Sequence, residues 1–180
     1  MRKLRNEELD RLTVKQYHQS AKIPVAVILD NIRSQNNIGS LFRTADAFRL
    51  EGMMLCGITS TPPHREIHKT ALGATESVHW EYFRETLEAV SRLKSEGYRI
   101  LAVEQAENAV SLEKLSLDIE GKYALVFGHE IRGVEQAVID RCDLCIEIPQ
   151  FGTKHSLNVA VAAGIVIWEV HRKLSGMLKR

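Results

Sequence analysis

The sequence predicts an α/β fold, a mostly parallel sheet with helices on both faces. Two observations carry this. Apolar runs of strand length recur along the chain, bounded by polar or glycine-containing loops. Between them lie stretches whose apolar residues have helical spacing, so strand and helix alternate. A third observation bounds the size: 180 residues suit one domain with one core.

In chain order, residues 6–20 read as a polar helix ahead of the core, ended by Pro24. Residues 25–30 (VAVILD) read as a buried strand and 31–37 as a polar loop. In 38–50 the residues Ile38, Leu41, Phe42, Ala45 and Phe48 fall on one side of a helix. Residues 53–58 form a second apolar strand, 59–63 a loop with a Pro-Pro breaker, and 65–72 a short helix closed by Gly73. A short strand is expected at 78–83, then a helix at 85–96 stopped by Gly97 and a strand at 99–104. A helical turn at 111–115 precedes the buried strand 123–127 (YALVF), which runs into Gly128. A helix at 134–140, a strand at 144–148 and a final helix at 156–174 complete the pattern.

That last helix is apolar almost all round from Leu157 to Trp168, apart from Asn158. A helix without a polar face needs cover on every side. Burial in a homodimer interface is the preferred explanation, and a helix sandwiched between the sheet and the N-terminal segment is the plainer one.

Composition excludes some classes. Lys plus Arg is 24 and Asp plus Glu is 23, a net charge of +1, so a chain-wide basic signature for nucleic acid is absent. Any such contact must come from a local patch. Residues 1–10 mix charges without an apolar core, so no secretory signal is expected, and no apolar run reaches the roughly 20 residues a membrane span needs. Three cysteines make no disulfide framework and suit a reducing cytoplasm.

Three segments carry candidate chemistry. Asn37-Ile38-Gly39-Ser40-Leu41-Phe42-Arg43-Thr44 lies where a loop gives way to a helix. Asn37 suits the helix cap, Gly39 permits close backbone approach, and Arg43, about a turn on, could reach back to the carboxyl end of the first strand. Arg43 suits a phosphate or a developing oxyanion, but taken by itself it reads first as a surface arginine on an amphipathic helix. Gly128-His129-Glu130-Ile131-Arg132-Gly133-Val134 follows a buried strand and brackets a carboxylate with glycines, yet it is neither a phosphate-binding loop of the Gly-Lys-Ser/Thr kind nor a dinucleotide fingerprint. Ile148-Pro149-Gln150-Phe151-Gly152-Thr153-Lys154-His155-Ser156-Leu157-Asn158-Val159 ends a strand and opens the apolar helix, with Ser156 as its expected cap. Asn158 there reads as a buried amide that needs partners, either in a site or as a bridge to a loop.

Together and in this order, the three segments resemble the three motifs of the SpoU/TrmH family of the SPOUT methyltransferases. Asn-x-Gly-x-x-x-Arg-Thr stands at 37–44, Gly-x-Glu-x-x-Gly-Val at 128–134, and Ile-Pro-x-x-Gly-x-x-x-Ser-Leu-Asn-Val at 148–159. The resemblance spans roughly 25–174. It implies a methyltransferase domain over 23–180, preceded by a helical extension over 1–22, and a trefoil knot in the C-terminal half. It further implies S-adenosylmethionine as cofactor, held near Gly128, Ile148 and Leu157 largely through backbone groups, and a homodimer packed partly through the last helix. The implied reaction is methylation of a ribose 2′-hydroxyl in tRNA or rRNA. Arg43 would be the catalytic residue, as base or as electrostatic stabiliser, and Asn37, Glu130, Ser156 and Asn158 would shape the site, with Glu130 orienting Arg43 or Asn37. A non-catalytic RNA-binding protein on the same fold is the alternative.

Other signals are weaker. Cys142-x-x-Cys145 precedes a strand and lacks a second pair, so ordinary half-buried thiols are expected. His64 and His68 lack a third ligand, and no metal is expected. Lys69 and the basic tail (Arg172, Lys173, Lys179, Arg180) read either as phosphate contacts or as solvated and helix-terminal charges.

Overall fold

The computed structural model describes residues 1–175. Seven strands form one sheet: β1 (Ile23–Asp30), β2 (Leu50–Cys56), β3 (Trp80–Phe83), β4 (Tyr98–Val103), β5 (Val110–Ser111), β6 (Lys122–Phe127) and β7 (Leu144–Glu147). Their order is β3-β2-β1-β6-β4-β7-β5, and every pairing is parallel. The helices are α1 (Val14–Gln19), α2 (Gln35–Ala47), α3 (Arg65–Ala71), α4 (Ala74–Ser77), α5 (Thr86–Ser95), α6 (Gln136–Ile139) and α7 (Val159–Leu174). The late strands enter the middle of the sheet: β6 lies between β1 and β4, and β7 between β4 and β5.

The central strands read as unbroken apolar runs because both faces are covered. Side chains alternate across the sheet, so Val25, Val27 and Leu29 of β1 join Tyr123, Leu125 and Phe127 of β6 in the core that also takes α2, α3 and α7. Ala26 and Ile28 join Ala124 and Val126 in the opposite core, with Ala89, Val90 and Leu93 of α5 and Val138 of α6. Each fully buried Val, Leu or Ile side chain among these contributes about 1.5–3 kcal/mol from burial.

Several boundaries differ from expectation, among them β2, which starts at Leu50 rather than at residue 53, and four further places have an identifiable local cause. The N-terminal stretch is not one helix: a 3-10 turn at Asn6–Glu8 is followed by α1, which starts where Thr13 and Gln16 form a capping box. Pro24 sits inside β1 rather than ending a helix. Helix α2 begins three residues early, because Ser34 rather than Asn37 is its cap and accepts from the Asn37 N–H at 3.4 Å. Helix α7 begins three residues late: its cap is Asn158, whose Oδ1 accepts from Ala160 N at 2.9 Å and Val161 N at 3.3 Å, so Ser156 lies in the preceding loop.

Helix α7 buries Ala163, Val166, Ile167, Val170 and Leu174. Its other side remains open, with Val161 53 %, Ile165 40 % and Trp168 54 % exposed. The N-terminal segment does not cover that side, so the sandwich explanation fails for these residues.

Candidate active site

A cleft of about 480 Å³ opens at the carboxyl ends of β4, β6 and β7, where an open parallel sheet places its ligands. Val103, Phe127, Ile148, Leu157, Val159 and Ala162 supply apolar wall, and Glu104, Glu130 and Glu147 supply carboxylates. Gly128, Ser156 and Asn158 also line it, so six of the residues singled out in the sequence (Gly128, Glu130, Ile148, Ser156, Leu157, Asn158) share one cavity.

Asn37 joins them from α2. The Glu130 carboxylate accepts from Arg33 N at 3.0 Å, Ser34 N at 2.9 Å and the Asn37 side-chain amide at 3.0 Å. Asn37 in turn accepts from the Asn158 amide at 3.2 Å through its Oδ1. Three segments far apart in sequence therefore meet in one hydrogen-bonded chain, Glu130–Asn37–Asn158. Burial pushes the Glu130 carboxyl up, but these amide donors, with its own backbone N–H, outweigh it and hold the group below its ordinary value. It serves as a fixed acceptor at the start of α2, where a helix favours negative charge. Asn158 is exposed rather than buried, and its amide both caps α7 and bridges to α2.

The Gly128–Val134 loop is compact because Gly128 lacks a side chain: a Cβ there would sit 2.1 Å from the Gly133 carbonyl carbon and from Val134 N. Glu104, at the end of β4, braces the loop by accepting from Val134 N at 2.9 Å and Gln105 N at 2.8 Å. The Gln105 amide donates to His155 O at 2.8 Å, tying down the loop before α7. The sequence reading missed Glu104, Gln105 and Glu147. The signal for Glu104 was present, since a carboxylate directly after a buried strand stands at the ligand edge of the sheet.

Arg43 is not brought into this cleft. It lies six residues beyond Asn37, about 9 Å along the helix and about 120° around it. It is exposed and borders surface depressions with Ser40, Thr44, Lys69 and Leu72. Glu130 orients Asn37 and makes no bond to Arg43. Gly39 permits close approach of another helix rather than of a ligand, because a Cβ would fall 2.3 Å from Ile67 O of α3.

The remaining signals resolve structurally. Cys142 and Cys145 are half-buried free thiols, and burial pushes Cys142 up to about 12 and raises Cys145 as well. His64 caps α3 by accepting from Glu66 N at 3.3 Å. Arg172 and Lys173 pair with Glu169 at 2.8 and 3.0 Å, while Lys179 and Arg180 lie outside the described residues. No helix among the described residues is long and apolar enough to cross a membrane.

Comparison with known proteins gives this geometry a context. Residues 24–168 match the family model of the SpoU rRNA methylase family. A putative TrmH family tRNA/rRNA methyltransferase of Staphylococcus haemolyticus is 33% identical over 162 residues, covering 88% of this chain. The chain spans 64% of that relative's length. An AdoMet-bound rRNA methyltransferase from Sinorhizobium meliloti superposes with a TM-score of 0.77 at 28% identity, over 83% of this chain and 56% of that one. A structure concerned with the 2-OH methylation of C/U34 on tRNA superposes with a TM-score of 0.74 at 27% identity, over 84% of this chain and 97% of that one. With the family model covering most of its length and its cleft assembled from the three motif segments, the chain belongs to the SpoU rRNA methylase family.

Proposed function

We propose that the protein is an S-adenosylmethionine-dependent methyltransferase acting on a ribose 2′-hydroxyl of tRNA or rRNA, working as a homodimer in a reducing cytoplasm. The observation that carries this reading is the Glu130–Asn37–Asn158 chain at the mouth of the cleft. It locks all three motif segments into one site at the carboxyl edge of the sheet. A resemblance limited to fold would not require that convergence.

The cleft suits the cofactor by its chemistry. Apolar wall from Val103, Phe127, Ile148 and Leu157 fits an adenosine, and the field of Glu104, Glu130 and Glu147 favours a sulfonium and an amino group over a row of phosphates. Gly128, Ile148 and Leu157 would hold it largely through backbone groups. When bound, it supplies an electrophilic methyl group. The protein's share is alignment and charge, since a ribose hydroxyl is a poor nucleophile and must lose its proton as it reacts. Arg43 makes no ion pair among the described residues, so its guanidinium can meet a phosphate or the forming alkoxide. A guanidinium stays charged, which suits stabilisation of the alkoxide better than proton removal.

Because Arg43 stands outside the cleft of its own protomer, its role requires the RNA or a second protomer to bring it into line. The open apolar side of α7 supports dimerisation, with Trp168 stacked on His171 at a centroid distance of 6.0 Å and tilted against Phe48 at 5.8 Å. The trefoil knot belongs to the same reading, supported by the late insertion of β6 and β7 into the sheet. The test is incubation with methyl-labelled S-adenosylmethionine and RNA from cells lacking the protein, followed by nucleoside mapping. Label on a ribose is expected in wild type, and at least about a hundredfold less of it in Arg43→Ala. Label on a base, or equal transfer by Arg43→Ala, overturns the assignment.

A further inference from the structure

The two residues that follow β4, Glu104 and Gln105, lie outside all three motif segments yet bond to two of them. Their backbone is anchored on β7: Glu104 N donates to Ile146 O at 3.0 Å, and the Cys145 thiol donates to Glu104 O at 3.4 Å. From that anchor the two side chains serve different loops. The Glu104 carboxylate reaches the loop after β6, where one oxygen accepts from Val134 N while the other accepts from Gln105 N. The Gln105 amide reaches the loop between β7 and α7, at His155 O. One dipeptide therefore sets the spacing of the two loops that wall the cleft.

The weight each arm carries follows from what else holds its loop. Residues 151–157 are all exposed, although His155, Ser156 and Leu157 line the cleft. Among the described residues, the bond from Gln105 is the one hydrogen bond these seven residues make. An exposed stretch with so few bonds lies at the low end of local stability, so a single bond decides how often it is in place. The loop after β6 is held more firmly. It bonds within itself, from Gly133 N to His129 O at 2.8 Å and from Ile131 N to His129 Nδ1 at 3.1 Å, and Glu130 ties it to the start of α2. Glu104 lies so close against it that a Cβ at Gly133, where φ is +68°, would run into the carboxylate. The second glycine of that motif thus answers to a residue the motif does not contain.

We propose that Glu104 and Gln105 are positioning residues for S-adenosylmethionine, a clamp that presents both loops to the cofactor at once, with Gln105 governing the order of the loop before α7. This rests on the reading that the cleft binds S-adenosylmethionine. The Gln105 arm acts through the loop backbone, so its effect falls on cofactor affinity rather than on the transfer step.

The full chain carries an exposed trypsin site in each loop, Arg132 and Lys154. Limited digestion of the cofactor-free protein, followed by peptide mass, reads the two loops separately. Gln105→Glu keeps the shape of the side chain but has no donor for His155 O. It should speed cleavage after Lys154 about three- to tenfold and leave cleavage after Arg132 unchanged. Gln105→His, which returns an N–H at similar reach, should restore much of the wild-type rate. Glu104→Gln should instead speed cleavage after Arg132. In calorimetry, Gln105→Glu should weaken S-adenosylmethionine binding by about three- to tenfold. In transfer assays it should raise KM for the cofactor more than it lowers kcat, with KM for RNA unchanged. Equal speeding at both sites in Gln105→Glu would mean general loosening and overturns the clamp. Wild-type cleavage and wild-type affinity in that variant overturn it as well, and leave the methyltransferase reading intact. If the wild-type protein itself binds no S-adenosylmethionine, the methyltransferase reading falls and the clamp loses its cofactor with it.

Discussion

At the scale of single residues, Glu130 and Asn158 divide the work of holding the motif junction. Glu130 gathers two backbone amides and the Asn37 side chain, and its carboxyl is held below its ordinary value. A depressed folded-state pKa contributes stability that is present above the unfolded value and is lost as pH falls through the folded one. Glu130→Gln should therefore lower the denaturation midpoint at neutral pH, and the gap to wild type should close as pH is taken from about 6 down through the carboxylate range. A gap independent of pH would contradict the assignment. Asn158 has two separable roles. Asn158→Ala should cost about 1 kcal/mol of stability from the lost helix cap. Asn158→Asp keeps the capping oxygen but loses the donor to Asn37, so stability should be nearly retained while methyl transfer falls. Urea titration alongside a transfer assay separates the two.

At the scale of elements, two close approaches set the geometry of the site. Helix α2 can present Asn37 to the cleft only because Gly39 lets it lie against α3, with no room for a Cβ beside Ile67 O and Thr70 Oγ1. Gly39→Ala should destabilise by about 1–3 kcal/mol, since the clash includes backbone that cannot swing aside. Gly128 plays the same part in the loop after β6, where the obstruction is the backbone of Gly133 and Val134. Gly128→Ala should abolish S-adenosylmethionine binding in calorimetry while far-ultraviolet circular dichroism still reports a folded sheet.

At the scale of the whole molecule, the open side of α7 leaves a row of apolar side chains uncovered. Val161, Ile165 and Trp168 stand exposed along one line of the helix while its other face is packed into the core. Their helical spacing forms a single stripe, as an interface helix requires. Trp168→Glu should shift the protein from dimer to monomer in sedimentation and lower methyl transfer with it. A wild-type protein that sediments as a monomer would remove dimerisation from the proposal.

The amino-acid pattern alone determined the α/β class, the central strands and the segments that build the cleft. Buried parallel strands such as VAVILD and YALVF announce themselves because both faces need apolar side chains, and the motif residues carry chemistry in their identity. The two-residue strand β5 was invisible, because its pairing with β7 comes from the sheet and not from any local period. The caps of α2 and α7 were misplaced, since Ser34 and Asn37, or Ser156 and Asn158, are equally good caps on paper and only the path of the chain selects one. Tertiary structure alone decided that Glu130, Asn37 and Asn158 bond to one another, that Glu104 braces the loop beside them, and that Arg43 faces away from the cleft its motif helps to build. Residue types show which groups can bond, but distance and direction between segments about 100 residues apart exist only once the sheet has set its strand order.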